Sequence, residues 1–137
     1  MTNTVQQKGI SNTSFAYILE ESLNEIYIFD AKTLKFLLVN KGARLNLGYS
    51  MEELSSLTPL DLKPEFTADS FAKILKPLLK FEKQKIQFET VHRRHDDSLY
   101  HVEVHLQLSN FQSIPVFVAI ILDITERKKA EIELLET

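Results

Sequence analysis

Histidine is the residue type in this chain best suited to metal or acid–base chemistry, and His92, His95, His101 and His105 all fall in one short stretch. On a helix, His101 and His105 would lie about 6 Å apart on one face. On a strand the same spacing spans about 13 Å. Val102, Val104, Leu106 and Leu108 alternate with His101, Glu103, His105 and Gln107, the period of a strand, so the two histidines cannot share one ion. His92 and His95 flank a turn, and a cross-strand pair with His101 falls short of the three or four convergent ligands of a zinc site. The four are read as solvated sheet-face histidines, and no metal is expected.

Other catalytic chemistry fares worse. The chain has no cysteine, so thiolate nucleophiles, disulfides and thiolate metal ligands are excluded. Gly9, Gly42 and Gly48 are the only glycines, too few and too scattered for a phosphate cradle. Glu20-Glu21 and Glu52-Glu53 are adjacent, and neighbouring helix positions do not converge on one substrate. Asp96-Asp97 suits a turn, and no strand-turn-helix nucleophile signature accompanies the serines. The chain does not read as an enzyme. A net charge of -3 argues against a nucleic-acid surface, and Arg127-Lys128-Lys129 is too short a cluster to reverse that. Residues 1–13 lack an apolar signal core, and the apolar run ending at Leu122 is far shorter than a membrane span, so a cytoplasmic location is expected.

The 137 residues, 44% of them hydrophobic, suffice for one domain with a core. Residues 1–13 read as a disordered or linker arm. Phe15, Ile18, Leu19, Leu23 and Ile26 recur at helical spacing, predicting an amphipathic helix over about Ser14 to Ser22. Glu25–Asp30 and Lys35–Val39 predict a hairpin. Asn40 is a helix N-cap candidate, Gly48 ends that helix, and Ser50 with Glu53 matches a capping box. After Pro59 and Pro64, the spacing of Phe71, Ile74, Leu75, Leu78 and Leu79 predicts the longest core-facing helix, kinked by Pro77 or finished by Lys76. Strands follow at about 85–94, 99–109 and 114–124, with turns at 95–98 and 109–113. Two strands, several helices and three strands predict an α+β fold, with one antiparallel sheet and helices packed on one face.

Val116 to Leu122 does not alternate, which predicts burial on both faces. The N-terminal amphipathic helix, a second copy of the domain, or both should cover the second face. That strand stops at Asp123-Ile124-Thr125, and good helix formers follow. Asp123 and Thr125 can accept from first-turn backbone donors, and Arg127–Glu131 and Lys129–Glu133 stand at i, i+4. The helix ending in Ile132-Glu133-Leu134-Leu135 looks unfinished, as a coiled coil would.

In order and spacing, Asn40, then Gly48-Tyr49-Ser50-Met51-Glu52-Glu53-Leu54, then Asp96-Asp97-Ser98-Leu99-Tyr100, then Asp123-Ile124-Thr125-Glu126-Arg127 resemble a PAS domain. The resemblance spans about Phe15 to Glu131 and implies a five-stranded antiparallel sheet flanked by helices. It divides the chain into an arm (1–13), a PAS domain (14–125) and the start of an outgoing signalling helix (126–137). It further implies a sensory or dimerisation module of a bacterial signalling protein, covalently linked to an output domain such as a histidine kinase, diguanylate cyclase or phosphodiesterase. Asp123 and Thr125 would then tie the last strand to the outgoing helix. Where many such hairpins carry Gly, this chain has Asp97, which tolerates positive φ better than most residues. The absence of cysteine excludes cysteine-linked flavin, and the absence of His from Thr67 to Lys80 argues against haem, leaving the cofactor unknown.

A small organic ligand would sit between the inner face of the sheet and the helices of Asn40 to Lys80. The candidate lining is Ile28, Asn40, Arg44, Phe66, Phe71, Leu75, Phe88, Thr90 and His92. Arg44 and His92 stand out, because a buried cation requires a partner that an anionic ligand could supply. A homodimer is expected through Phe15, Ile18, Leu19 and Leu23. The alternative to ligand sensing is a ligand-free homodimerisation module.

Overall fold

The computed structural model describes residues 12–136, with side chains from residue 16 onward. Helix α1 (Asn12–Glu21) leads into β1 (Glu25–Asp30) and β2 (Phe36–Val39). Next come α2 (Lys41–Leu47), α3 (Met51–Leu54), a 3₁₀ turn (Pro59–Leu62) and α4 (Ala68–Leu79). The chain closes with β3 (Lys85–Arg93), β4 (Leu99–Phe111), β5 (Ile114–Asp123) and α5 (Thr125–Glu136). The five strands form one antiparallel sheet in the order β2-β1-β5-β4-β3. The helical segment therefore crosses from one sheet edge to the other, and the last two strands return to fill the centre.

Each short helix starts where a side chain can serve an orphan N–H. Asn40 Oδ1 accepts from Ala43 N, Ser50 and Glu53 form the expected capping box, and Thr58/Asp61 and Thr67/Ser70 repeat the device. Gly48 closes α2 at φ 83°, a conformation where a Cβ would be strained. Helix α4 runs through Pro77 to Leu79 instead of finishing at Lys76. Lys73, whose carbonyl loses its donor, is on the exposed side where water can serve it. The Pro77 carbonyl accepts from Glu82 N and Lys83 N and turns the chain toward β3.

The core lies between the inner face of the sheet and α2, α3, the 3₁₀ turn and α4. Tyr27, Phe29, Phe36, Phe71, Phe117, Val102, Val104, Leu106 and Ile121 fill it. A smaller cluster on the outer face joins Ile26, Ile28 and Val116 to Leu19 of α1. Three expectations change here. Strand β5 is buried along its inner face but only in part on its outer face: the cluster with Leu19 of α1 covers Val116, while Ile120 remains 37% exposed. The last hairpin turns on two residues, Gln112 and Ser113, both at positive φ, rather than on 109–113. That is the geometry of a type I′ turn, matched to strand twist although neither residue is glycine. Finally, α1 begins at Asn12, inside the stretch assigned to the arm; residues 1–11 lie outside the described set. Asp97 takes the left-handed conformation its turn requires, at φ 72°.

Candidate functional site

The inner face of β3 carries polar side chains into the core. Register with β4 places Thr90 opposite Val102 and His92 opposite Tyr100, so both point at the helices. His92 is completely buried, contrary to its reading as a solvated sheet-face residue. It stacks on Tyr27, with ring centroids 5.9 Å apart, and lies edge-on to Tyr100. The other histidines are unlike it: His101 and His105 face outward, and His95 stacks on Tyr49 at 4.4 Å.

His92 links to a residue that sequence reasoning missed. Lys63, at the end of the 3₁₀ turn, is 2% exposed, and its Nζ lies 2.6 Å from His92 Nε2. The rings of Phe71 and Phe88 flank the ammonium at 5.8 Å each. Burial brings the Lys63 amine down from 10.5 to about 7. Burial, and then the charge of Lys63, hold the imidazole well below its usual range. On its other side His92 Nδ1 is 3.2 Å from the Tyr27 hydroxyl. Tyr27 interacts in turn with Tyr100, whose hydroxyl donates to Glu25 Oε1 at 3.0 Å. Asn46 donates to Glu25 Oε2 at 2.8 Å and accepts from Arg94 Nε at 3.1 Å. Desolvation raises the Glu25 carboxyl above the ordinary glutamate range, even with these donors. Two hydrogen-bonded rows, Lys63–His92–Tyr27 and Tyr100–Glu25–Asn46–Arg94, thus lie end to end across the core as a polar chain that reaches the rim.

Of the expected lining residues, Phe66, Phe71, Leu75, Phe88, Thr90 and His92 do belong to the inner side. Phe66 packs edge-on to Phe71 and Phe88, and Thr90 Oγ1 donates to Glu65 at 2.8 Å. Three do not join them. Ile28 faces the outer cluster, because it sits one residue out of phase with Tyr27 and Phe29. Arg44 forms a two-pronged pair with Glu20 at 2.7 and 2.9 Å and donates to the Val39 carbonyl, so α1 supplies its partner. Asn40 is buried at the junction of α1, β1 and α2: its Oδ1 accepts from Ile26 N, and its Nδ2 donates to the carbonyls of Leu19 and Asn24. Two surface clefts, of about 680 Å³ beside Leu78, Phe81 and Leu108 and about 310 Å³ beside Asn46, Gly48 and Arg94, lie away from His92.

The exit from β5 is a second organised region. Asp123 Oδ1 accepts from Thr125 N at 2.9 Å, and Ile124 N donates to the His101 carbonyl at 2.9 Å. Thr125 Oγ1 accepts from the backbone N–H of His101 on β4 at 3.3 Å instead of a first-turn donor, because β4 runs beside the helix start. Arg127 and Lys128 reach Glu89 on the outer face of β3 at 2.7 and 2.8 Å, and Arg127 also approaches Glu103 on β4 at 3.7 Å. The helix pairs expected at i, i+4 are replaced by Lys128–Glu131 and Lys129–Glu126 at i, i+3, since Arg127 turns to the sheet. Of the expected dimer residues, Ile18 and Leu23 are exposed, Leu19 is half-buried, and the side chain of Phe15 lies outside the described set.

The sequence matches the PAS domain family over residues 24–126. A search of the curated proteins finds no match. Among solved structures, the chain is similar to the PAS domain of an HTR-like protein from Haloarcula marismortui at 26% identity and TM-score 0.72, covering 82% of this chain and 96% of that one. It also resembles a domain of a sensory box sensor histidine kinase/response regulator from Geobacter sulfurreducens at 19% identity and TM-score 0.66, over 86% of this chain and 96% of that one. A LOV protein from Rhodobacter sphaeroides aligns at 16% identity and TM-score 0.64, over 79% and 64% of the two chains.

Proposed function

The chain belongs to the PAS family, and from that premise we propose that it is the sensory domain of a bacterial signal-transduction protein. An event at the inner face of β3 passes to α5, and through it to an output domain such as a histidine kinase or diguanylate cyclase. The domain itself performs no catalysis. The observation that carries this reading is the two-sided use of β3. Its inner face bears Thr90 and His92, while Glu89 on its outer face holds Arg127 and Lys128. Glu89 and His92 are three residues apart on one strand, about 10 Å. A displacement of the backbone at His92 therefore moves the anchor of α5. Asp123 and Thr125 make the start of α5 follow β4 and β5 as well.

The stimulus in this reading is a small organic ligand taken up among Phe71, Leu75, Phe88, Thr90 and His92, where the aromatic side chains would have to make room. Asn40 and Arg44 serve it indirectly, by holding α1 and α2 on the sheet. A domain that homodimerises without any ligand is the second reading, favoured by the close packing of Phe71 and Leu75 and by the apolar exposure of Ile18 and Ile120. Leu19, Leu23, Ile18 and Phe15 of the N-terminal segment would contribute to that interface.

Fusing the chain, in helical register, to the catalytic core of a histidine kinase tests the sensory reading without knowledge of the stimulus. Asp123→Ala and Glu89→Lys are expected to change basal autophosphorylation several-fold, and Lys73→Ala on the exposed side of α4 to leave it unchanged. Equal activity in all of these fusions would refute coupling through the exit of β5.

A further inference from the structure

The polar chain in the core has a property that a packing role does not require. Lys63, His92 and Tyr27 can reverse both hydrogen bonds between them, and only Lys63 changes charge when they do. With Lys63 as an ammonium, Nζ donates to His92 Nε2 and Nδ1–H donates to the Tyr27 hydroxyl. With Lys63 as a neutral amine, both bonds reverse: His92 Nε2–H donates to Nζ, and Tyr27 donates to Nδ1. Both arrangements keep both bonds and differ by one proton on Nζ, so the three groups have two settings.

We propose that Lys63 and His92 form a single-proton site buried in the core. One proton, exchanged with bulk water, separates the two settings; no electron is transferred. Among the described residues no carboxylate lies within ion-pair distance of Lys63, so nothing fixes its charge permanently. The groups facing it are His92 and the Phe88 ring from β3 and the Phe71 ring from α4; Tyr27 from β1 and Tyr100 from β4 pack on the far side of His92, and Glu25 from β1 lies beyond Tyr100. Glu65 in the following loop is bonded to Thr90. The acidic and basic side chains of α4, Asp69, Lys73 and Lys76, are exposed. The lowered proton affinity of both Lys63 and His92 agrees with this arrangement.

The inference deepens the sensory reading by naming the proton as a signal at the same site; the titration itself does not depend on α5. It is tested on the whole 137-residue chain, with lysine labelled at Cε and histidine at Cε1, followed by NMR from pH 5.5 to 10.5. One lysine is expected to titrate near 7, with the His92 resonance moving at the same midpoint as its neighbour changes charge. Lys63→Met should remove that lysine signal and abolish the movement of His92. A set of lysines that all titrate above 10 in the wild-type chain, which needs no variant to fold, would overturn the proposal. Titration near 7 with no change in the amide exchange of α5 would keep the proton site and refute its coupling to the exit helix.

Discussion

Replacing Asn40 separates two accounts of the same residue. As an N-cap alone, Asn→Ala costs about 1 kcal/mol and Asn→Asp almost nothing, because aspartate caps as well as asparagine. The structure gives Asn40 a larger role. Its Oδ1 accepts from Ile26 N at 3.0 Å and Ala43 N at 3.4 Å, and its Nδ2 donates to the carbonyls of Leu19 at 2.9 Å and Asn24 at 2.8 Å. Four bonds at roughly 1 kcal/mol each, in a fully buried setting, put Asn40→Ala at about 3–5 kcal/mol. Asn40→Asp keeps both acceptors, yet it loses both donors and aims a carboxylate at two carbonyl oxygens. It should cost at least as much as alanine at neutral pH, reversing the order of a simple cap. Urea unfolding of the three proteins at pH 7 measures this, with the amide exchange of Ile26 reporting the local loss. An aspartate variant within about 0.5 kcal/mol of wild type would show that the contacts to Leu19 and Asn24 carry no weight.

Stability should also depend on pH through Lys63. Above pH 7 the folded lysine has released its proton, while the unfolded one keeps it up to 10.5, so the unfolded chain binds more protons. Stability therefore rises with pH from 7 towards 10, by at most about 1.4 kcal/mol per unit. It should fall again above 10, where unfolded tyrosines ionise but the buried Tyr27 and Tyr100, both shifted upward, do not. Lys63→Met should flatten the rise between 7 and 10 in denaturant titrations; an unchanged slope would locate the dependence elsewhere. Leu19→Glu should give monomers in light scattering if the N-terminal helix lies in a homodimer interface, and an unchanged mass would remove that helix from it. Asp97→Gly relieves a left-handed conformation costing about 1–2 kcal/mol, against about 0.5–1 kcal/mol of added chain entropy. A gain of about 0.5 kcal/mol in urea unfolding is expected, and a loss would mean that the Asp97 side chain is itself needed.

The elements that were legible in the sequence are those whose signals are local. The capping box at Ser50, the stop at Gly48 and the alternation from His101 to Leu108 each depend on residues a few positions apart, and the structure places them accordingly. What escaped notice depends on partners far along the chain. Asn40 shows the boundary: its cap to Ala43 spans three residues, whereas its bonds to Ile26, Asn24 and Leu19 span 14 to 21. Strand β3 supports two readings of His92, as an inner-side lining residue with Thr90 and as a solvated histidine, because Thr90 and His92 occupy inward positions and Val91 an outward one, so polarity runs against burial. Lys63 follows Leu60-Asp61-Leu62 and precedes Pro64, as any loop lysine might do. Its burial is fixed only when the 3₁₀ turn is laid against β3. The two-residue turn at Gln112-Ser113 lacks the glycine or asparagine that advertises positive φ.

The outer face of the sheet completes the mechanical argument, because it is divided by chemistry. Ile26, Ile28 and Leu38 of β1 and β2, with Val116, Val118, Ile120 and Leu122 of β5, make one half apolar; α1 lies on part of it through Leu19. Gln87, Glu89, Glu103, His105 and Gln107 of β3 and β4 make most of the other half polar, and the first turn of α5 is tied there by Arg127 and Lys128. The entering and leaving helices are therefore held by different balances of forces on one continuous sheet. Helix α1 is held by apolar contact at Leu19 and the buried Asn40 hydrogen bond as well as by the Arg44–Glu20 pair, whereas the exposed ion pairs of α5 are screened within about 10 Å at 0.1 M ionic strength. Raising salt should loosen the leaving helix more than the entering one. An equal rise in the amide exchange of both helices between 0.05 and 0.5 M salt would show that charge is not what holds α5.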